Sequence, residues 1–296
     1  MHDTAMQIGE TFFRNYLGEQ TAGKILDLGG LNVNGSLREV APRGWNYISV
    51  DSSSGPGVDV VLDDACRLPF ATNEFDAVVS SSCFEHNPLF WLTLNEMCRV
   101  THEGGYIYIN APSNGAYHRY PKDCWRFYPD AGAALVEWAR RSGHAVTLCE
   151  SFVAVAGKDR WNDFVCVLRK GTSEDHRSPR PLHHMVDCTN ICVGSSDHVQ
   201  LFSAHFQDMK ELDMADKQIK ELTRRLKKIS KKNERLTRQN YQLAVQITEL
   251  EATRGPFRRL AASLAAICRT YLRSTAKKVF GHRLLAPEGV NIALER

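Results

Sequence analysis

No run of eighteen apolar residues occurs in these 296 residues, so the sequence offers nothing that spans a membrane. The opening Met1-His2-Asp3-Thr4 has neither the basic nor the apolar region of a secretory signal, and a cytoplasmic chain is expected. Cysteine occurs nine times without framework spacing, and the odd count suits a reducing compartment better than a disulfide scaffold. Cys188 and Cys192, after His183-His184, have a spacing open to zinc. Their surroundings are polar and weakly patterned, however, so thiols without a metal are expected. The pattern G-x-G-x-x-G is missing, and its place is taken by the adjacent Gly29 and Gly30. A dinucleotide-dependent hydride enzyme is therefore disfavoured.

Net charge is also small, at +3, but it is unevenly spread. Residues 209–253 carry eleven Lys/Arg against seven Asp/Glu, and residues 254–296 carry nine against two, which leaves residues 1–208 at about −8. An acidic front argues against a front domain that grips nucleic acid, while the basic back suits an anionic partner. A hydrophobic fraction of 43% is enough for a sizeable core.

What is present in the first half is a rhythm of short apolar runs and helical patterns, as expected of a parallel sheet covered by helices. Phe12, Phe13, Tyr16 and Leu17 mark an opening helix. Strands are expected at 24–28, 46–50, 58–62, 75–80 and 106–110, with helices at 90–100 and 129–141. Two further strands, 145–152 and 164–168, would close the first domain near residue 170. Pro179 and Pro181 stand in a stretch rich in Ser, Arg and His, so 171–208 reads as a linker.

In such a sheet, ligands sit beyond the carboxyl ends of the strands. Gly29 and Gly30 follow the first strand and let backbone approach a ligand closely. Asp51 ends the second strand, where an acid can accept both hydroxyls of a ribose. Asp64-Ala65 end the third strand, beside where an adenine would lie, and Ser80 begins a floor that continues to Cys83.

These residues carry a resemblance. Lys24-Ile25-Leu26-Asp27-Leu28-Gly29-Gly30, then Asp51, then Asp64-Ala65-x2-Leu68-Pro69-Phe70-x4-Phe75-Asp76-x-Val78, is similar to class I S-adenosylmethionine-dependent methyltransferases of the type 11 group. The resemblance covers roughly residues 20–170 and implies an α/β, Rossmann-like sheet with flanking helices. It implies that Asp27 and Gly29 contact the methionine end of S-adenosylmethionine, Asp51 the ribose, and Asp64 and Ala65 the adenine. Glu85-His86 resembles the Glu-His found just after strand four in this group. The chain departs from the group's G-x-G-x-G pattern, with Leu31-Asn32-Val33-Asn34-Gly35-Ser36 resembling a subgroup's variant turn.

Against nucleobase methylation, no N/D-P-P-Y-like motif follows strand four, and Cys83 follows Ser82 rather than a proline. Residues 110–130 instead gather aromatic, basic and His side chains, and the segment resembles one in methyltransferases of bacterial polysaccharide or lipopolysaccharide synthesis. A lid over the cofactor is expected there, with Tyr117, Arg119, Tyr120, Asp123, Trp125 and Arg126 facing a glycan or lipid-linked sugar acceptor. Removal of a hydroxyl proton would fall to His118 or His86. Packed aromatics in a crossover connection remain the plain alternative for this loop.

From Leu212 the pattern becomes heptads. Leu212, Ile219, Leu226, Asn233, Asn240 and Ile247 share one seam position, and Ala215, Leu222, Ile229, Leu236, Leu243 and Leu250 the other. A coiled coil over 209–253 is expected, a dimer or trimer, some 60 Å long at about 1.5 Å per residue. Residues 254–296 read as a basic amphipathic tail, with Phe257, Leu260, Leu264, Ile267, Tyr271 and Leu272 at helical spacing. Such a helix suits an anionic membrane surface or a partner protein, which would make the chain peripheral on the inner face of a membrane. The combined expectation is an O-methylating enzyme acting on a sugar or glycan intermediate. Two alternatives stand beside it: a non-catalytic adaptor with a degenerate methyltransferase domain, and an RNA-associated methyltransferase that uses the basic stretch from Lys217 to Arg238.

Overall fold

The computed structural model describes residues 2–157, 161–171, 180–205, 207–253, 260 and 262–271. The chain forms two units, Met1–Asp213 and Met214–Arg296.

The first unit is built on one eight-stranded sheet. In chain order its elements are α1 (Asp3–Phe12), β1 (Lys24–Leu28), β2 (Asn46–Asp51), β3 (Val60–Val61), β4 (Phe75–Ser81), α2 (Phe90–Val100), β5 (Thr101–Pro112), α3 (Ala131–Arg141), β6 (Val146–Ala154), β7 (Asp163–Lys170) and β8 (Cys188–Val193). Across the sheet the order is β3-β2-β1-β4-β5-β7-β6-β8. The first five in that order run parallel, β7 runs antiparallel to both β5 and β6, and β8 runs antiparallel to β6. The chain moves outward from β1 to β3 and then returns to β4, so the order reverses between β1 and β4.

Central strands read as unbroken apolar runs because both of their faces are covered. Successive residues alternate between two cores. Leu26, Val78, Ile107, Ile109, Phe164 and Cys166 pack with Leu94 and Met97 of α2 and Leu135 and Val136 of α3. Ile25, Ala77, Val79, Tyr108, Val165 and Val167 pack with Ile8 and Phe12 of α1 and with Phe13 and Tyr16 of the π-helical turn that follows it. Burying each of these large side chains contributes about 1.5–3 kcal/mol, which sets the sheet's register firmly.

Several expectations are corrected. The third strand shrinks to Val60–Val61 because the Asp59 carboxylate, not a backbone carbonyl, accepts the Ser49 N–H at 2.8 Å and so ends the ladder. β5 begins at Thr101 directly after α2, paired at once to Phe75, with an irregularity before Ala77. α3 begins at Ala131, and Pro129 sits in the preceding turn, where its carbonyl accepts the Gly132 N–H.

The expected linker of 171–208 is the largest difference. Residues 180–205 belong to the sheet unit: β8 adds to its edge, with Cys188, Ile191 and Cys192 buried. The organising group is Glu150 on β6, whose buried carboxylate accepts from the Tyr16 hydroxyl, the Leu182 and His183 amides and the His183 ring. A polar composition hides this strand, because what fixes it is one buried charge rather than an apolar run. Cys188 and Cys192 pair with Ala154 and Ser151, three residues apart on β6 and so about 10 Å, too far to share one ion. Residues 172–179 of the expected linker lie outside the described residues.

A 47-residue helix, α4 (Gln207–Thr253), carries the heptads. In the second unit Leu222, Leu226, Ile229, Leu236, Leu243 and Leu250 of the two seams are exposed along it. Helix also covers 262–271, where Leu264, Ile267 and Tyr271 are exposed. Leu260 is exposed as well, while Phe257, Leu272 and residues 273–296 of the expected amphipathic tail lie outside the described residues. Among the described residues no helix is long and apolar enough to cross a membrane.

Candidate functional site

A cleft of about 690 Å3 opens at the carboxyl edge of the parallel strands, where the strand order reverses. Its walls come from the turn after β1, the end of β2, the segment after β3, the turn after β4, the loop after β5 and the start of β7.

The turn after β1 is held by the Val50 carbonyl, which accepts from both the Gly29 and Gly30 amides. Gly29 has φ +81°, and a Cβ there would also meet the Cys83 side chain. A Cβ on Gly30 would lie 1.7 Å from the Ser49 hydroxyl and 2.9 Å from the Asp27 carboxylate. The two glycines are therefore required by packing around the cleft as well as by any ligand in it.

Asp27 is 2% exposed and accepts from the Tyr47 hydroxyl at 2.8 Å. Burial pushes its carboxyl up to about 6, partly opposed by the Tyr47 hydrogen bond and the Arg38 charge. Asp51 accepts from the Leu31 amide at 3.3 Å and from the Ser53 amide at 3.0 Å, one on each oxygen. A carboxylate has further lone pairs, so both oxygens remain able to accept from a ligand.

Of the expected cofactor residues, Asp27, Gly29, Gly30, Asp51 and Ala65 line this one cleft. Asp64 does not: its carboxylate accepts the Cys66 amide at 2.8 Å and shapes the turn, so Leu62 and Ala65 form that wall. Nor does Ser80, which is buried inside the sheet and donates to the Leu28 carbonyl. Ser81, Ser82 and Cys83 form the floor instead, because only residues beyond the part of β4 that pairs with β1 reach the edge.

The loop after β5 folds over the cleft, held from two sides. The Glu85 carbonyl accepts from the Cys124 and Trp125 amides. Within the loop, Arg126 makes a two-pronged ion pair with Asp123, whose carboxylate also accepts the His118 amide at 2.7 Å. The Arg126 hydrogen bonds hold the Asp123 carboxyl down at about 2. Asp123 and Arg126 are thus loop staples, not acceptor contacts. Trp125 donates to the Asn87 carbonyl and packs on Phe90 and Trp91, and Tyr117 is 74% exposed away from the cleft. Of the expected acceptor residues only Arg119 and Tyr120 line the cleft, together with His118 and His86.

The sequence reading missed several wall residues. Asp163 and Trp161 flank the start of β7, and the antiparallel course of that strand brings its first residue to the same edge as the last residue of β5, with Asp163 opposite Pro112. His2 meets Asp163 at 3.1 Å. Trp161 packs edge-on to His118 at 5.0 Å. Inspecting only the carboxyl ends of parallel strands cannot find such residues, although an Asp opening an apolar strand is a usable signal.

Glu85 sits in a single 3-10 turn, Phe84–His86, and is 2% exposed. Its Oε2 has no hydrogen-bond partner, and burial pushes the carboxyl up to about 8. His86 lies 3.6 Å from Glu85 Oε1 through Nε2, while its Nδ1 meets the Lys122 carbonyl. Burial lowers the His86 pKa, which keeps the ring neutral at physiological pH.

Residues 26–109 match the family model described as a methyltransferase domain. Over 102 residues the chain is 33% identical to a demethylmenaquinone methyltransferase of Beutenbergia cavernae, covering 31% of this chain and 42% of that protein. Over 130 residues it is 32% identical to the demethylmenaquinone methyltransferase of Mycolicibacterium gilvum, covering 39% of this chain and 57% of that one. The chain thus spans about half the length of the curated relatives it matches. Among solved structures it is similar to a Burkholderia thailandensis 1,6-didemethyltoxoflavin-N1-methyltransferase with S-adenosylhomocysteine bound, at 18% identity and TM-score 0.45, covering 56% of this chain and 78% of that one. The stretch that matches the methyltransferase domain, an enzyme's domain, runs from β1 to β5 and supplies Asp27, Gly29, Gly30, Asp51, Ala65 and Glu85 to the cleft.

Proposed function

We propose that the chain is a methyltransferase with S-adenosylmethionine as methyl donor, bound in the cleft between β1 and β4. One observation carries this reading. The acids and glycines at the ends of β1 and β2, read from the sequence as a cofactor set, line a single cleft inside the stretch that matches a methyltransferase domain. Asp27 faces the positively charged methionine end of the donor, and Asp51 accepts from its ribose. Binding of S-adenosylmethionine or S-adenosylhomocysteine by calorimetry tests it. Asp51→Ala should cost about 1.5–3 kcal/mol through loss of charge-assisted hydrogen bonds. No binding to the intact chain would leave the adaptor reading in its place.

We further assign the acceptor to the rim formed by His118, Arg119, Tyr120 and Trp161, where aromatic and cationic groups stand together. An acceptor hydroxyl would lose its proton at the Glu85–His86–His118 corner, and methyl transfer itself needs mainly in-line placement. A sugar or glycan hydroxyl fits the aromatic faces and Arg119. A quinol-like ring is the second reading, favoured by the names of the two bacterial relatives. A screen of both acceptor classes with labelled methyl donor separates them.

A further inference from the structure

We infer that Glu85, His86 and His118 form a divalent-cation site at the acceptor end of the cleft. The sequence reading assigned these residues no metal, and the tertiary fold is what brings the three together. One ligand atom from each lies within 4.8 Å of the other two. The pair Glu85-His86 comes from the turn after β4, and His118 is placed opposite by the loop after β5.

Four observations fit a cation better than a hydrogen-bonded cluster. First, the Glu85 side chain is almost wholly buried, lines the cleft and leaves Oε2 without a partner, a costly state for a carboxylate unless a positive group neutralises it. Second, the His86 Nδ1 is committed to the Lys122 carbonyl, which fixes the proton on that nitrogen. Its Nε2 then presents a lone pair toward Glu85 Oε1 at 3.6 Å, beyond a direct hydrogen bond, which leaves the space between them open to a proton or a cation. Third, His118 is anchored on its Nδ1 side, with the Ala116 carbonyl at 3.3 Å and the Asp123 carboxylate and Arg126 guanidinium each at 3.4 Å, and its amide donates to that carboxylate. A carbonyl or carboxylate behind the far nitrogen is how proteins orient metal-binding imidazoles. Fourth, the rings of His86 and His118 stand edge to face at 4.9 Å, which brings both imidazoles into one small cluster with Glu85.

Two imidazoles and one carboxylate suit Mn2+, Fe2+, Co2+ or Zn2+ and leave positions open for further oxygen ligands. At this place an acceptor hydroxyl could complete the shell, and the cation would lower the hydroxyl's pKa so that its proton passes to solvent water as the methyl group is transferred. That role rests on the methyl-transfer reading, whereas cation binding itself stands on the three side chains alone.

The test is titration of the full chain, freed of metal, with Mn2+ alone, followed by calorimetry and electron paramagnetic resonance, with Co2+ as a spectroscopic probe. We expect one tightly bound cation per chain and a visible Co2+ spectrum with nitrogen ligation. Glu85→Gln and His118→Ala should each weaken Mn2+ binding by at least roughly 10-fold. Because His118 stands at the rim, His118→Ala keeps the test decisive even where Glu85→Gln fails to fold. Absence of binding to the intact chain, or equal binding by chains with and without His118, overturns the inference. S-adenosylmethionine binding measured on the same samples reads the other proposal separately. Donor binding without Mn2+ binding overturns only the cation site, and Mn2+ binding without donor binding overturns only the methyltransferase reading.

Discussion

Asp27 is an almost wholly buried acid on the cleft wall, with a tyrosine hydroxyl as its only side-chain hydrogen-bond donor among the described residues. Burial favours its protonated form and places the change near pH 6 in the unliganded chain. A cationic donor binds the ionised form better. As pH falls through about 6, Asp27 takes up a proton and donor affinity should fall, by at most about tenfold per pH unit for one linked proton. Calorimetry at several pH values checks this. Asp27→Asn should bind weakly throughout and show a flat profile over the same range. A wild-type profile as flat as that of Asp27→Asn would remove Asp27 from the donor site. The glycines beside it show why a motif residue can have two reasons to exist. Gly30 is required by Ser49 and Asp27 around it whether or not a ligand is present.

At the scale of elements, β8 and the Leu182–His184 turn are tied to β6 and to the N-terminal helical segment through Glu150. Burial opposes its charge, yet the His183 ring, the Tyr16 hydroxyl and two backbone amides hold its carboxyl below the ordinary value. A depressed folded pKa gives stability that is complete above the ordinary carboxylate range and is lost as pH falls through the folded value. Glu150→Gln should therefore lower stability by about 2–4 kcal/mol at neutral pH and blunt the loss on acidification, as read by denaturant unfolding. Equal acid sensitivity in the two chains would mean that other carboxylates carry it.

The exposed seam of α4 also belongs to this scale. We propose that it pairs with further copies of the chain, as a dimer or a trimer, because six heptads leave a mostly apolar stripe of Leu and Ile and Asn233 and Asn240 can fix register across the seam. Light scattering should give a multiple of the chain mass, and Ile229→Lys with Leu236→Lys should return it to one chain. A single-chain mass for the unaltered protein at micromolar concentration would defeat the pairing.

For the whole molecule, charge is the organising quantity. About −8 lies in residues 1–208, and the remainder carries an excess of about eleven positive charges. We propose that the C-terminal part lies on an anionic membrane surface, where each basic residue contributes about 1 kcal/mol and apolar side chains such as Leu264, Ile267 and Tyr271 add burial. Sedimentation with anionic vesicles should pellet the full chain and leave a chain ending at Thr253 in the supernatant. Equal behaviour of the two would favour docking on a partner protein.

The sequence by itself determined the central strands, α2, the long helix and the residues Asp27, Gly29, Gly30, Asp51 and Ala65, because each is encoded locally. Apolar runs need cover on two faces, a strand's last residues reach the sheet edge, and heptads repeat within one helix. Tertiary structure alone decided the rest. The antiparallel turn of β7 delivers Asp163 and Trp161 to the cleft, and the Asp123–Arg126 ion pair turns expected acceptor contacts into staples. One buried carboxylate, Glu150, converts an apparent linker into sheet. Each of these depends on a partner that is distant in sequence. The partner's position is set by how strands cross and loops fold back, and no local period of hydrophobicity encodes that.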